Sequence, residues 1–287
     1  MAKILVAGAS GKVGQSTIKE LKKQGHTVRA VLRDRTKLGA LADAVEEIII
    51  ADACEPHTLR GVCANIDVVI STIGGSLQLG RTKGKAGYWE VDFQANKNLL
   101  AEAQAAQVRK FIYVSVFQAE QMKGIVYGEA HAAFEEELKQ SGLDYSLIRP
   151  TGIFYIFEEF VKLARKGIMP LIGNGQVQTN PIDEAEVARW CVEAIKAEEK
   201  IFNLGGPDVF TRRQISELCF DAIGKTPRFI RYPVGLMRAL VAPVKFFDRR
   251  LYDLLAFGIF VSTVDNVAPQ VGVNKLDSYL KQLTAGG

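Results

Sequence analysis

Residues 3–14 read KILVAGASGKVG, and this stretch decides the fold of the 287-residue chain. Its first five residues form a short apolar run, which is typical of a strand buried on both faces. Glycines follow at positions 8, 11 and 14, and an amphipathic stretch comes after them. A strand, a glycine-rich turn and a helix in this order indicate a dinucleotide-binding site. The alternative is an ordinary strand-to-helix turn.

Each glycine has its own role in such a site. Gly8 permits the tight turn, Gly11 lets the backbone approach a pyrophosphate, and Gly14 lets the helix pack close to the strand. The start of the helix presents free N–H groups and the positive end of its dipole to the phosphates. The predicted cofactor-binding residues of this segment are Gly8, Ser10, Gly11, Lys12, Val13 and Gly14.

The composition is that of an ordinary globular protein, with 48% hydrophobic and 24% charged residues. A net charge of +4 is too small to indicate a nucleic-acid partner. The four cysteines lack CxxC spacing and indicate reduced, mostly buried thiols, and the three histidines lie too far apart for a metal motif. Apolar runs are too short for a transmembrane helix, and we expect no targeting segment, because the first strand begins two residues after Met1. We therefore expect a cytoplasmic protein without a metal site.

Apolar runs alternate with helical patterns along the chain. The predicted strands after the first are residues 26–32, 45–51, 67–71, 110–116, 144–148 and 201–204. This alternation indicates an α/β fold with a Rossmann-like, doubly wound parallel sheet of about seven strands. We expect a dinucleotide-binding domain over residues 1–150, which the strand near 201–204 rejoins. Residues 151–287 are predicted to form a smaller substrate-binding lobe with lid helices.

Charged residues at the end of the second strand bear on the choice between NAD and NADP. Arg33 suits a 2′-phosphate through bidentate charge-assisted hydrogen bonds, with Arg35, Lys37 or Lys12 assisting. Asp34 would instead suit the ribose hydroxyl of NAD. We predict that NADP(H) is preferred, and solvated loop charges are the alternative.

The ends of the next strands supply further candidate cofactor contacts. Asp52 can approach the adenine edge or cap a helix. Thr72, Ile73 and Gly74 form a turn against which a cofactor can lie, and residues 76–85 are predicted to form a loop over the site. A long helix is expected over residues 86–107. Its candidate core positions are Trp89, Phe93, Leu99, Leu100 and Ala103.

Ser115, Tyr127 and His131 are the candidate catalytic residues. Ser115 ends the fifth strand, where ligands of open α/β sheets bind. Tyr127 and His131 are four residues apart and therefore share one helix face. Ser115 would donate a hydrogen bond to a substrate oxygen, and Tyr127 would donate or accept a proton. The alternative is an ordinary buried stripe that continues through Phe134 and Leu138.

The tail of the chain is basic and amphipathic. Residues 224–250 contain seven Lys or Arg residues and one Asp. Such a stretch can lie on an anionic membrane, so peripheral membrane contact through residues 233–262 is one expectation. The other, which we favour, is a pair of lid helices that pack on their own lobe.

With these motifs, the chain resembles the atypical short-chain dehydrogenase/reductase superfamily, in its NmrA-like and divinyl-chlorophyllide-8-vinyl-reductase-like branch. Residues 8–14 match the GxxGxxG motif of the atypical members, and residues 91–100 look like the long-helix motif. Residues 143–154 look like the stretch near the nicotinamide. The second lobe of the 8-vinyl reductases is similar to residues 180–182, 204–207 and 224–233 of this chain.

The resemblance implies a Ser-Tyr-Lys catalytic set, which Ser115 and Tyr127 fit. His131 occupies the lysine position, and Asp92 replaces an asparagine of the long helix. In the family, that lysine holds the nicotinamide ribose and lowers the pKa of the tyrosine. A neutral imidazole can keep the ribose hydrogen bond but supplies little of this electrostatic help. The resemblance also implies that the nicotinamide lies beside Pro150, Thr151, Gly152 and Ile153.

We therefore expect an NADPH-dependent reductase that transfers hydride to a carbonyl or an activated double bond. The apolar second lobe indicates a small apolar molecule with a bulky hydrophobic body as substrate, such as a pigment precursor, a quinone or an isoprenoid-like molecule. The second hypothesis is a non-catalytic NADP(H)-binding regulator or assembly factor of the NmrA-like type, because His131 and Asp92 depart from the catalytic pattern. The sequence leaves the oligomeric state open.

Overall fold

In the computed structural model, which describes residues 1–78 and 86–285, strands alternate with helices along most of the chain. In chain order the strands are β1 (Lys3–Ala7), β2 (Thr27–Leu32), β3 (Glu47–Ile50), β4 (Val68–Ser71), β5 (Lys110–Val114), β6 (Asp144–Pro150), β7 (Met169–Ile172), β8 (Gln178–Thr179), β9 (Ile201–Leu204), β10 (Phe210–Thr211) and β11 (Phe229–Tyr232). The α-helices are α1 (Lys12–Lys23), α2 (Ala95–Ala105), α3 (Val126–Gln140), α4 (Glu158–Arg165), α5 (Glu184–Glu193), α6 (Arg212–Asp221), α7 (Val234–Val241), α8 (Arg249–Val261) and α9 (Leu276–Ala285).

The central sheet has the strand order β3-β2-β1-β4-β5-β6-β9, and all its pairs are parallel. The order of the strands reverses between β1 and β4. A ligand of such a sheet binds in the crevice at the carboxyl ends of the strands beside this switch point. The predicted Rossmann-like sheet is confirmed, including the seventh strand at residues 201–204.

Helices cover both faces of the sheet because the strand residues alternate between two apolar layers. Ile4 and Val6 face α1 and α5, whereas Leu5 and Ala7 face α2 and α3. Helix α5 packs on α1, so the chain returns to the main core before β9 begins. The domain boundary at residue 150 stays a prediction.

A separate apolar cluster lies in the second half of the chain. Its members belong chiefly to α4, α6 and α9, with Phe154 and Phe220 among the side chains that have no solvent exposure. A parallel pair of short strands, β7 and β11, adjoins it. The cysteines are free thiols, as predicted, and all except the partly buried Cys54 are buried.

The helix predicted over residues 86–107 differs from the observed one at its start. A π-helical turn, Trp89–Gln94, precedes α2. Such a turn inserts an extra residue and changes which side chains face inward. Trp89 is consequently 41% exposed instead of lying in the core, and Asp92 is fully buried. Of the loop predicted over residues 76–85, residues 79–85 lie outside the described part of the chain.

The basic tail forms two helices joined by a 3₁₀ turn, Ala242–Phe246. Helix α8 packs against α3 as well as α7, so it covers the sheet domain and not only its own lobe. Helix α7 is largely exposed. No helix in residues 1–78 or 86–285 has the length and apolarity that crossing a membrane requires.

Candidate active site

The glycine turn between β1 and α1 has the geometry of a phosphate cradle. Gly8 has a φ of 74°, and a Cβ there would lie 2.7 Å from the carbonyl oxygen of Thr72. A Cβ on Gly14 would overlap the Gly8 carbonyl oxygen. The start of α1 can therefore lie this close to the end of β1 only because residue 14 is glycine. Gly11 precedes α1 without a capping side chain, and the first turn carries no acidic residue. The first N–H groups of α1 therefore have no intrahelical acceptor and can receive an anion.

Neighbouring side chains fix this turn in place. The Gln15 amide donates to the carbonyl oxygens of Ser10 and Lys37, at 3.2 and 3.1 Å. The Thr72 hydroxyl donates to the Ala7 carbonyl oxygen at 2.9 Å. Val13 is buried beneath the turn. Gln15 was not among the predicted site residues, since it lies outside the glycine motif.

Lys12 turns toward the second half of the chain. Its Nζ lies 3.5 Å from Glu158 Oε1 at the start of α4. This ion pair crosses the cleft at the glycine turn, and Lys12 remains 55% exposed. Because Lys12 is largely exposed, its ammonium group can contact a phosphate bound at the glycine turn as well as Glu158.

The ends of β2 and β3 form an open cavity of about 340 Å³. Its lining includes Arg33, Asp52 and Thr58. Arg33 Nη1 lies 3.8 Å from Asp52 Oδ2, and the Arg33 side chain is 71% exposed. The other oxygen of Asp52, Oδ1, accepts from the Cys54 N–H, so this carboxylate caps a turn.

The Asp34 carboxylate is hydrogen-bonded to a residue of its own loop. One carboxylate oxygen accepts hydrogen bonds from the Thr36 hydroxyl at 2.7 Å and the Thr36 N–H at 3.0 Å. These bonds lower the pKa of Asp34. The carboxylate thus caps the 3₁₀ helix Arg35–Asp43, which leaves Arg33 as the exposed group next to the cavity.

These features fit a dinucleotide. The helix start and the glycines suit a pyrophosphate, and the cavity beside Arg33 suits the adenosine end. The two regions lie at the carboxyl ends of β1, β2 and β3, on the same edge of the sheet.

A buried polar cluster lies under α3 at the same edge. His131 is 3% exposed, its Nδ1 lies 2.6 Å from the Tyr113 hydroxyl, and its Nε2 lies 3.3 Å from Asp92 Oδ1. The Nε2–Oδ1 contact lacks hydrogen-bond geometry, and neither Nε2 nor Asp92 Oδ2 has a hydrogen-bond partner among the described residues. The Tyr113 hydroxyl and Nδ1 form a hydrogen bond whose direction depends on the tautomer of the ring. Nδ1 is therefore engaged by the protein, whereas Nε2 lies beside Asp92 without a hydrogen bond.

Asp92 connects this cluster to the cofactor crevice. Its Oδ1 accepts from the Gly75 N–H at 2.9 Å, directly after the turn that contains Thr72, Ile73 and Gly74. The Asn96 amide donates to the Asp92 carbonyl oxygen at 2.9 Å and holds the π-helical turn. A substitution at Asp92 would consequently remove a hydrogen bond that positions the backbone after Gly74, in the turn against which a cofactor would lie.

Tyr127 sits above His131 in an aromatic setting. Its ring centroid lies 4.7 Å from that of His131, 4.6 Å from Phe257 of α8 and 5.5 Å from Tyr88. The side chain keeps partial exposure to solvent. Burial by these rings raises the pKa of Tyr127 well above its usual value, and the negative charge of Asp92 adds to the effect.

The other predicted residues lie at the ends of β5 and β6. Ser115 is 5% exposed, and its hydroxyl has no hydrogen-bond partner within the described residues. The Thr151 hydroxyl donates to the Asn180 carbonyl oxygen at 2.6 Å, and the Ile182 N–H donates to the Gly152 carbonyl oxygen at 2.9 Å. Residues 150–153 are thereby fixed against residues 180–182, where Ile153 forms a bridge.

Sequence comparison identifies the family. A family model described as NAD(P)H-binding matches residues 8–198. The chain belongs to this NAD(P)H-binding family. The match begins at the first glycine of the cradle and extends past α5.

Two kinds of relative stand out among the proteins similar to this chain. A divinyl chlorophyllide a 8-vinyl-reductase of Cucumis sativus is 28% identical over 262 residues, covering 85% of this chain but only 62% of the cucumber protein. The chain thus spans less than two thirds of the length of that reductase. A photosystem II assembly factor, Ycf39, of Trieres chinensis is 25% identical over 260 residues, covering 88% of this chain and 80% of that protein.

Solved structures share the fold of this NAD(P)H-binding chain. An NADPH-dependent quinone oxidoreductase of Escherichia coli, complexed with NADPH, has a TM-score of 0.74 at 19% identity and covers 98% of this chain and 99% of its own. A triphenylmethane reductase of Citrobacter sp. has a TM-score of 0.73 at 18% identity and covers 99% of both chains. The family match and the 8-vinyl-reductase relative confirm the predicted resemblance, and the solved structures confirm the predicted fold.

Proposed function

We propose that the protein is an NADPH-dependent reductase that acts on a carbonyl or an activated double bond of an apolar substrate. The observation that carries this proposal is the placement of Tyr127, a partly exposed tyrosine whose ring contacts His131 and Phe257 at the sheet edge that also bears the glycine turn. A tyrosine phenol, with an ordinary pKa of about 10, keeps its proton at neutral pH and can act as the acid that a reduction requires.

The chain's own residues would orient the substrate and supply the proton. When bound, the dinucleotide supplies the hydride. Tyr127 would transfer its hydroxyl proton to the substrate oxygen on which charge develops, and solvent would then reprotonate the phenolate. Ser115, whose hydroxyl has no partner among the described residues, would donate a hydrogen bond to the same oxygen.

The surroundings of Tyr127 favour an apolar substrate. Phe257 and Tyr88 flank the phenol, and Val116 and Met122 belong to the same apolar cluster. These side chains limit water around the reacting atoms, which strengthens a hydrogen bond to a developing charge.

Arg33 supports a preference for NADP(H) over NAD(H). It is exposed beside the cavity, whereas Asp34 is engaged by Thr36. An arginine in this position can form bidentate hydrogen bonds with a 2′-phosphate.

The second candidate is an NADP(H)-binding assembly factor or regulator without turnover. The chain covers more of the assembly factor than of the 8-vinyl reductase, 80% against 62%. His131 also favours this candidate, because a buried imidazole that bonds to Tyr113 through Nδ1 lacks the permanent charge of the family lysine.

NADPH oxidation by the purified protein distinguishes the two candidates. Acceptors should include apolar quinones and enones together with small polar ketones. A reductase should turn over the apolar acceptors, and Tyr127→Phe should reduce this turnover while NADPH binding is kept. Tight NADPH binding without turnover of any acceptor would favour the second candidate, and absence of dinucleotide binding would contradict both.

A further inference from the structure

Helix α7, the turn at residues 242–248 and the first turn of α8 form a helical hairpin with an unusually apolar exposed surface. Phe247 is 90% exposed and Phe246 is 77% exposed. In α7, Leu240 and Leu236 are 56% and 48% exposed, and Val241 is the one buried residue of this helix. Such an exposed apolar group is characteristic of an interaction surface.

The exposed apolar residues occupy one end and one side of the hairpin. Leu236 and Leu240 are four residues apart and therefore lie on one face of α7. Phe246 and Phe247 lie in the turn that joins α7 to α8. The hairpin is anchored at its base by Arg250, which is buried, lies 4.7 Å from the Tyr88 ring and donates to the Ala86 carbonyl oxygen.

Positive charges surround the apolar tip. Lys245 Nζ lies 4.9 Å from the Phe246 ring, and Arg238 is exposed on α7. Arg249 is 65% exposed at the start of α8, although Asp253 lies 3.1 Å away. The one acidic residue among residues 224–250, Asp248, caps α8 by accepting from the Leu251 N–H. Aromatic side chains flanked by lysine and arginine are typical of helices that lie at a lipid–water interface.

We propose that this hairpin, residues 234–250, docks on an anionic lipid bilayer. The two phenylalanines would enter the interface, while Lys245 and Arg238 would remain among the headgroups. A second copy of the chain fits less well, since a symmetric contact would bring the same cations face to face. The inference does not depend on the proposed activity, because it uses neither the cofactor crevice nor Tyr127.

Vesicle flotation tests the proposal with the full chain. The vesicles contain phosphatidylcholine with or without phosphatidylglycerol. The test variants are Phe246→Ser with Phe247→Ser, which leaves the charge unchanged, and Lys245→Glu. The matched controls are Val273→Ser, which replaces a 70% exposed apolar residue, and Lys196→Glu, which reverses an exposed charge on another surface.

The wild type should float with the anionic vesicles and remain unbound with phosphatidylcholine alone. The double phenylalanine variant should lower the partition coefficient by about tenfold or more, because the apolar contribution is lost. Lys245→Glu should lower it less and should make binding less sensitive to salt. The controls should bind like the wild type.

Three outcomes would overturn the proposal. They are no flotation of the wild type, equal binding to both kinds of vesicle, and equal binding of the wild type and the double phenylalanine variant. Analytical sedimentation without lipid tests whether a second copy of the chain binds the hairpin instead. Self-association that rises with concentration and is lost in the double phenylalanine variant, together with no flotation of the wild type, would assign the hairpin to a second copy.

Discussion

His131 Nε2 lies 3.3 Å from Asp92 Oδ1, so the two positions that depart from the pattern of the resembling family contact one another. Both side chains are buried, and the Tyr113 hydroxyl contacts the other ring nitrogen of His131. A lone carboxylate at position 92 would be a costly buried charge, and the His131 imidazole in contact with it can supply a counter-charge when protonated. We therefore expect the side chains at these two positions to be energetically coupled.

A double-mutant cycle should detect this coupling. Asp92→Asn and His131→Gln should each lower the free energy of unfolding, because each leaves a buried polar group without its partner. The double variant should lose less than the sum of the two, with a coupling of about 1–3 kcal/mol. Urea unfolding at neutral pH measures all four proteins.

The exposed pair Glu136 and Lys139 on α3 is the control for this cycle. Glu136→Gln and Lys139→Met should show a coupling of about 0.5 kcal/mol or less, as for most surface ion pairs. Additive effects at Asp92 and His131 would show that the two departures are independent.

Tyr127→Phe should separate chemistry from binding. The variant keeps the ring contacts with His131, Tyr88 and Phe257 but lacks the proton. We expect kcat to fall about 100-fold or more, as for loss of a general acid, with little change in the Kd of NADPH. An apolar acceptor that proves active in the NADPH assay is the substrate for this measurement. An unchanged kcat would exclude Tyr127 as the proton donor.

The pH profile should show the raised pKa of Tyr127. Because the proton-donating form persists above the ordinary tyrosine pKa of about 10, kcat should not fall between pH 7 and about 10 through loss of this proton. The same shift makes phenolate scarce, so oxidation of the corresponding alcohol should be slow at neutral pH. An alkaline decline near pH 8 that disappears in Tyr127→Phe would contradict the assignment.

Much of the fold could be predicted because its signals are local. The apolar run at residues 3–7 and the glycines at 8 and 14 specify a strand, a turn and a close helix, and the later strands repeat this pattern. The π-helical turn could not be predicted from periodicity, since apolar residues at helical spacing do not reveal an inserted residue. Trp89 was assigned to the core for that reason.

The sequence could indicate candidate site residues, which stay a prediction, but not the contacts between them. The spacing of Tyr127 and His131 predicts a shared helix face, and their rings do pack edge to face there. The sequence did not indicate Tyr113 as a site residue, because a tyrosine within a buried strand usually contributes only to the packing of the core. Its contact with His131 depends on strand register and on the placement of α3, which only the tertiary structure supplies.

Arg33→Ala should weaken NADPH binding more than NADH binding. Removal of a bidentate partner of the 2′-phosphate should raise the Kd of NADPH about tenfold or more, whereas the Kd of NADH should change little. Fluorescence titration measures both constants. Arg60→Ala removes the same charge from another exposed site and is the control. Equal losses for both dinucleotides would mean that Arg33 does not recognise the 2′-phosphate.

The pair formed by Arg149 and Glu135 should be important for stability. Arg149 Nε donates to Glu135 Oε1 at 2.9 Å, a second bond joins Nη2 to Oε2, and the Glu135 side chain is 2% exposed. The pair joins β6 to α3 immediately before residues 150–153, and the bonds to Glu135 raise the pKa of Arg149.

Glu135→Gln should lower the free energy of unfolding by about 2–4 kcal/mol, because it leaves the half-buried guanidinium without its carboxylate. Glu135→Leu combined with Arg149→Met should recover most of that loss, since two apolar side chains of similar size carry no desolvation cost. Urea unfolding gives both values, with Glu136→Gln as the exposed control. If the double variant is no more stable than Glu135→Gln, the pair contributes more through its direct attraction than through the penalty of an unpaired charge.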